Sequence, residues 1–372
     1  MNAVGIIFSN IRDKHVPELT NNRIMASVPF GGRYRLIDFV LSNMTNSGII
    51  NAGVLSKHNY QNLVDHLGTG KAWDLARKRG GIRILQPYYD ENSGYITMEN
   101  RIETLKGIMY YIDKVDEDYV IFSDCDVVCN ISYSDLLEQH RQSGADITVL
   151  YTNQKEEKNW NGHRTVLTFG QDGELAKMKK SQKTEEGAAL YLGTLVMHKD
   201  CFKKHIQRAA DKGYKRLMDY WADHNDDIII KGYEFNQYHA YIDSLESYLN
   251  SNLELLDLSV REELFRKPYR PIYTSVNDSP PTTYGEDAEV ENSIIADGCI
   301  IDGEVKNSII FRGVKIEKGA KVNNCVIMQD SMIGKHATLN QIVTDKNVVI
   351  GDHRTLWGHE THPFFIGKGS VI

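Results

Sequence analysis

The chain has 372 residues, 41% hydrophobic and 25% charged, the balance of an ordinary globular protein. Its 43 basic and 50 acidic residues give a formal charge of −7, which argues against nucleic acid or an anionic membrane surface as a partner. No apolar stretch approaches the roughly 20 residues that span a bilayer, and the length predicts roughly two domains of about 150 residues each.

The N-terminal Met1-Asn2-Ala3-Val4-Gly5 lacks the basic region of a signal peptide, so none is expected. The first 265 residues alternate short β-branched runs with helical patterns, which predicts an α/β domain with a mainly parallel sheet. Strands are expected at Gly5–Phe8, Asn51–Leu55, Tyr119–Ser123, Ile147–Tyr151, Leu190–His198 and Ile228–Gly232. Helices are expected at Leu36–Asn46, Tyr60–Leu67, Arg101–Val115 and Tyr133–Ser143. In Arg101–Val115 the residues Ile102, Leu105, Ile108, Met109 and Ile112 recur at the spacing of one buried helix face. The run Lys177–Lys180 reads as a solvated face.

Five cysteines, Cys125, Cys129, Cys201, Cys299 and Cys325, include no Cys-x-x-Cys pair. They predict neither a zinc site nor a disulfide framework, but buried, reduced thiols in a cytoplasmic protein. Pro268, Pro271, Pro280 and Pro281 then mark a linker over residues 266–288, because proline fixes φ and lacks the N–H of a ladder.

From Glu289 the pattern changes to a six-residue step. Ile310, Ile316, Val322 and Met328 keep that step, as do Ile327, Ile333 and Leu339. This periodicity predicts a hexapeptide parallel β-helix over 289–372, with six or seven turns between Glu289 and Gly351 and ends suited to association. His359-x-x-His362 has the spacing of a metal pair, but the adjoining Pro363 predicts a surface loop instead.

Specificity comes from Val28-Pro29-Phe30-Gly31-Gly32-Arg33-Tyr34-Arg35-Leu36-Ile37-Asp38-Phe39-Val40-Leu41-Ser42-Asn43. It resembles the "PFGGxYRxIDFxLSN" segment of ADP-glucose pyrophosphorylases, the glucose-1-phosphate adenylyltransferases. Asn46-Ser47-Gly48-Ile49, Leu63-Val64-Asp65-His66-Leu67 and Ser247-Tyr248-Leu249-Asn250-Ser251-Asn252 extend the likeness along the chain. The resemblance implies a Rossmann-like nucleotidyltransferase domain with a mostly parallel mixed sheet, followed by a left-handed β-helix.

The family's chemistry needs a glycine loop for close approach to phosphates, cations for the departing pyrophosphate, and carboxylates for Mg²⁺. The family's "GGxGTRL" loop falls on Asn10-Ile11-Arg12-Asp13-Lys14-His15-Val16, where Asn10, Ile11 and Asp13 replace the glycines and His15 replaces the arginine. Its following lysine falls on Met25. The first metal-binding aspartate matches Asp126, a vestigial and weak Mg²⁺ ligand, and the second falls on Tyr241, two residues before Asp243. Tyr191 stands where a small serine faces the sugar, and neither Gly94–Arg101 nor Lys177–Ser181 matches the family's sugar-phosphate segments.

No catalytic set is therefore intact, and the pattern resembles the GlgD-type subunit that accompanies a catalytic GlgC-type subunit. That likeness implies a regulatory subunit in glycogen biosynthesis, with little or no activity alone. It implies a heterotetramer with the active paralogue, and no required cofactor beyond Mg²⁺ if nucleotide binding persists. Arg23, Arg33 and Arg35 resemble positions that surround phosphorylated effectors in allosteric relatives, since an arginine fork can bind two phosphate oxygens. Surface or ion-paired arginines are the plainer reading of these three. Two other functions stay open on sequence alone, an active sugar-1-phosphate nucleotidyltransferase and a stand-alone phosphosugar or nucleotide sensor.

Overall fold

Six consecutive buried residues, Ala3–Phe8, form strand β1 in the middle of the main sheet. The computed structural model describes residues 1–9, 13–56, 60–86, 101–153, 164–181, 189–224, 227–276 and 278–372. The chain forms two compact units, neither of them one continuous stretch. The first comprises Met1–Ile11 and Phe39–Gln237, the second Arg12–Asp38 and Tyr238–Ile372.

In the first unit β1 is followed by β2 (Asn51–Leu55), β3 (Gly81–Leu85), β4 (Tyr119–Asp124), β5 (Ile147–Thr152), β6 (Arg164–Phe169), β7 (Leu175–Ser181), β8 (Ala189–His198) and β9 (Ile230–Glu234). They make a nine-stranded sheet with the path β7-β6-β8-β4-β1-β2-β3, while β5 joins β8 and β9. β1 pairs in parallel with both β2 and β4, β2 with β3, and β5 with β9. β8 runs antiparallel to β4, β5 and β6. The sheet is thus mixed around a parallel centre, as the alternating β-branched runs and helices imply.

Local differences from the sequence pattern have local causes. The helix expected over Arg101–Val115 is two, Arg101–Gly107 and Met109–Ile112, with Ile108 between them at φ −102°, ψ 4°. Gly107 stands at the break, and glycine lowers helix stability by about 1 kcal/mol relative to alanine. The run Lys177–Lys180 lies within strand β7, with Met178 buried in the core and Lys177 and Lys180 outward. Its exposed lysines are solvated, but on a strand whose Met178 faces the core. Sequence reading missed β3, β6 and β7 because polar residues interrupt their β-branched runs.

In the second unit three five-stranded parallel sheets form the faces of a β-helix. Ile301, Ile316, Ile333 and Ile350 stack inward from one face, and Val305, Val322, Leu339 and Leu356 from the next. The helix has five coils between Thr283 and Ile366 rather than six or seven, because each turn spends three strands and three corners before Ile316 comes to lie over Ile301. Asn292, Asn307, Asn324 and Gln341 occupy one column of corners at positive φ, a conformation asparagine tolerates well. Asn292 Nδ2 donates to Asn307 Oδ1 at 2.7 Å along that column.

The third face, containing Ile309–Ile310 and Val326–Ile327, is buried on both of its sides. Part of its cover is the Pro29–Arg35 hairpin: a Cβ on Gly32, at φ +82°, would meet Ile294 and Ile309 Cγ2 at 3.5 and 3.8 Å. The hairpin is fixed on its other side by helix Leu245–Glu254. Tyr248 OH donates to Pro29 O at 2.7 Å, and Asn252 Oδ1 accepts the Gly31 N–H at 2.9 Å. Tyr34 stacks on Phe265 with ring centroids 5.1 Å apart. No described residue between Phe265 and Thr283 is in a helix or strand, and no helix among the described residues is long and apolar enough to cross a membrane.

Candidate functional site

β1 is flanked by β4 on one side and β2 on the other, so the chain's direction of travel reverses between β1 and β4. In open α/β sheets the carboxyl ends of strands at such a point hold ligands. Here that edge carries Ser9, whose hydroxyl donates to Leu55 O at 2.5 Å, and Cys125, whose thiol reaches Ser9 O at 3.4 Å. Asp124 ends β4, and Asp126 lies buried in the turn before the short strand Val127–Cys129. Gly193, at φ +67°, interrupts the pairing of β8 with β5, and a Cβ there would lie 2.8 Å from Asp124 Cβ. Only glycine lets this backbone pass the aspartate without a shift. Ser123 Oγ lies 3.0 Å from Tyr133 OH and 3.2 Å from Thr194 Oγ1, and burial pushes the Tyr133 phenol well above its usual range.

Tyr191, expected where a serine would face a sugar, is buried in the hydrophobic core on β8, opposite Tyr151. Among the described residues no group of three or more His, Cys, Asp or Glu side chains is arranged to hold a metal ion. His359 and His362 face each other across a tight turn through backbone hydrogen bonds of 3.1 and 3.0 Å, the surface loop that Pro363 implied.

The second unit holds most of the remaining expected residues. Asn10, Ile11 and Arg12 lie outside the described residues, as does Gly94 of the segment compared with the sugar-phosphate loop. From Asp13 onward the altered loop is a turn with His15 exposed. Asp13 Oδ1 accepts the Met25 backbone N–H at 2.8 Å, and the Met25 side chain is fully buried. Tyr241 is buried, and Asp243 is buried with its N–H donating to Ser247 Oγ at 3.0 Å, beside the start of helix Leu245–Glu254.

The three arginines separate. Arg23 is buried and donates to Asp345 Oδ1 at 2.5 Å. Arg35 is half-buried and, with Arg23, acts on Lys346, whose ammonium is pushed down to about 8 by burial first and then by these arginines. Lys368 adds to that field and Asp345 opposes it. Arg33 is exposed, over the Tyr34 ring at 5.6 Å, and neighbours Arg312 instead. Burial lowers the Arg312 guanidinium below its usual range, Arg33 lowers it further, and its nearest carboxylate, Asp297, is 4.0 Å away. Two separate cationic groups result, Arg35 with Lys346 and Arg33 with Arg312, each of a chemistry suited to a phosphate or carboxylate ligand. Sequence reading missed Lys346 and Arg312, for the arginines beside them, Arg35 and Arg33, are hundreds of residues away and the hexapeptide pattern gives their corners no distinctive signal.

Comparison with known proteins accounts for both units. A family model for nucleotidyl transferases matches residues 14–224, and one for the GlmU-like C-terminal hexapeptide region matches 281–361. The chain is 39% identical over 371 residues to the glycogen biosynthesis protein GlgD of Geobacillus stearothermophilus, covering 99% of this chain and 96% of that one. It is 33% identical to GlgD of Bacillus subtilis (strain 168) over 324 residues, 86% of this chain and 82% of that one. To glucose-1-phosphate adenylyltransferase of Clostridium perfringens (strain 13 / Type A) it is 29% identical over 326 residues, 86% and 81% of the two chains.

Proposed function

The chain belongs to the nucleotidyl transferase family that contains GlgD and glucose-1-phosphate adenylyltransferase, and from that premise we propose that it is a catalytically deficient regulatory subunit of ADP-glucose synthesis in glycogen formation. Its partner in this reading is an active GlgC-type paralogue, joined in a heterotetramer, and its compartment is the cytoplasm.

One division among the residues carries the proposal. The family motifs that persist are folding contacts: Pro29 and Gly31 of one segment bond Tyr248 and Asn252 of another. The positions that differ are those where phosphate chemistry needs glycine or a cation, with Asp13 and buried Met25 in their place. Selection for the scaffold without the reaction leaves this pattern. Magnesium would enter only beside a bound nucleotide, with Asp126 as its protein carboxylate and phosphate oxygens completing the shell.

Regulation in this reading uses the cationic groups. A phosphorylated effector would be bound by Arg35 and Lys346, with Arg33 and Arg312 a second cationic pair, while Arg23 holds the fold through Asp345. Differential effector affinity between two states of the assembly would then alter the partner's activity.

The test is ADP-glucose formation from ATP, glucose 1-phosphate and Mg²⁺, by the chain alone and mixed with its paralogue. The expected result is negligible turnover alone, changed kinetics of the paralogue on mixing, and co-elution in gel filtration. Substantial turnover by the chain alone would refute catalytic deficiency, and unchanged kinetics and size on mixing would refute the partnership.

A further inference from the structure

On the β-helix face whose inward column ends in Leu339 and Leu356, the outward side chains change character along the coils. The first coils carry charges that pair with one another. Lys306 Nζ lies 2.6 Å from Glu304 Oε1 and 3.9 Å from Glu291 Oε2, and Lys321 Nζ lies 3.6 Å from Glu304 Oε2. Beyond Lys321 the outward positions are Asn323, Thr338, Asn340, Thr355 and Trp357, in register across the last three strands. None of the five is charged. Arg354 before the last strand and Glu360 after it are exposed and opposite in sign.

Trp357 is 65% exposed, although tryptophan is on average a well-buried residue type. Leu356 beside it supplies this strand's contact with the core. Asn340 opposes Trp357 in register and Asn323 follows one coil further, so the three span about 10 Å at the usual strand spacing. Asn340 Oδ1 accepts from Asn324 Nδ2 at 3.4 Å. Among the described residues, Asn340 Nδ2, the Thr338 and Thr355 hydroxyls and the Trp357 indole N–H make no hydrogen bond.

Such a surface fits a ligand that is neutral, rich in hydroxyls and apolar on one ring face. A pyranose has that chemistry: its C–H face covers an indole, and its hydroxyls meet amides that both donate and accept. An anion would find no cation at these five positions, and a protein interface would need more than one apolar anchor at its core.

We propose that this end of the face binds an α-glucan chain, with one glucose ring stacked on Trp357 and the adjoining hydroxyls held by Asn340, Asn323 and the two threonines. The choice of an α-linked glucan rests on the reading of the chain as a component of glycogen formation, whereas the neutral-sugar chemistry comes from the surface itself. The contact tethers the chain to the polymer made from ADP-glucose.

Binding is measured on the full chain, by retardation in native gels cast with glycogen and by titration calorimetry with maltoheptaose, with cellohexaose as the β-linked comparison. The unaltered chain is expected to be retarded and to prefer maltoheptaose. Trp357→Ala should weaken maltoheptaose binding about tenfold and Asn340→Ala about threefold, while Trp357→Phe, which keeps a ring, should lose less than about threefold. Should Trp357→Ala fail to fold, Asn340→Ala and Trp357→Phe decide. An unaltered chain that is neither retarded nor titrated would overturn the proposal, as would equal binding by the unaltered chain and folded Trp357→Ala. Tighter binding of cellohexaose than of maltoheptaose would overturn the α-glucan assignment. A sedimenting mass that falls on Trp357→Ala, with no glucan bound by either chain, would replace the glucan with a second copy of the chain. ADP-glucose formation, alone and with the paralogue, is assayed without any glucan, so failure of the broader reading remains distinguishable from failure of this one.

Discussion

Arg23 and Asp345 stand 322 positions apart in the chain and 2.5 Å apart in space, with both side chains almost fully buried. Their ion pair links the segment preceding the Pro29–Arg35 hairpin to a corner of the β-helix. It also identifies Arg23 as part of the framework, where the sequence had offered it as an effector ligand.

Removing one member of this pair leaves a buried charge without its partner, which typically costs about 3–5 kcal/mol. Arg23→Met is therefore expected to lower the urea midpoint of the chain sharply. The double variant Arg23→Met/Asp345→Leu should recover most of the loss, because no lone charge remains. Arg35→Ala should weaken binding of a phosphorylated effector with little change in midpoint. The same denaturation series, repeated with and without ligand, separates the two roles.

Asn252 offers a second test of the framework. Its Oδ1 accepts the Gly31 N–H and its Nδ2 donates to Tyr248 O at 2.8 Å, all within a buried site. Asn252→Leu would strand the buried Gly31 N–H, while Tyr248 O keeps its bond within the helix, and should cost about 1–3 kcal/mol by calorimetry. Asn252→Asp retains the acceptor for Gly31 but places a charge there, so it should also destabilise the chain. Equal stability in all three would mean that water or relaxation replaces both bonds.

The first unit supplies a pH dependence. His205 is buried, and its Nδ1 accepts the Trp221 indole N–H at 3.3 Å, so the neutral ring carries its proton on Nε2. Burial lowers its imidazole to about 4, and His140 is lowered to about 4 by the same cause. An unfolded histidine binds a proton near pH 6.5. Between pH 6.5 and 4 the unfolded chain therefore takes up protons that the folded chain refuses, and stability falls as pH falls. Each histidine contributes up to about 3 kcal/mol to that fall. His205→Gln, whose amide oxygen can accept from Trp221, should flatten the decline in urea midpoint between pH 7 and 4.5. An unchanged slope would show that other groups set the acid sensitivity.

How much of this was legible in the sequence depends on the range of the interactions. The parallel centre of the sheet and the β-helix announce themselves because strand burial and coil stacking repeat at short, fixed spacing. Ile316 over Ile301 is such a repeat, although counting coils required knowing that three faces share each turn. The hairpin motif was visible as a string, but its purpose was not, since Tyr248 and Asn252 meet it only after folding. Arg23 could not be distinguished from Arg35 for the same reason: both are arginines in one short segment, and only Asp345 tells them apart. Tyr191 was legible as a bulky replacement, but its place in the core became visible only through its opposition to Tyr151.

Lys346 provides the test closest to the proposed regulation. Its ammonium is lowered to about 8, and among the described residues its Nζ makes no hydrogen bond or ion pair. At pH 8 about half of it is then an uncharged nucleophile, while an ordinary lysine near 10.4 is almost wholly protonated. Lys346 should thus be acetylated by acetic anhydride ahead of exposed lysines such as Lys14, as read by peptide mass spectrometry. A bound phosphate favours the ammonium form and raises its pKa, so by linkage the ligand's affinity must fall as pH rises through 8. Binding of a phosphorylated effector should weaken between pH 7 and 9 in the unaltered chain and stay nearly level in Lys346→Met. The effector should also protect Lys346 from acetylation. Protection without a pH-dependent affinity would place the ligand near Lys346 but not on its charge, and neither effect would remove Lys346 from the regulatory site.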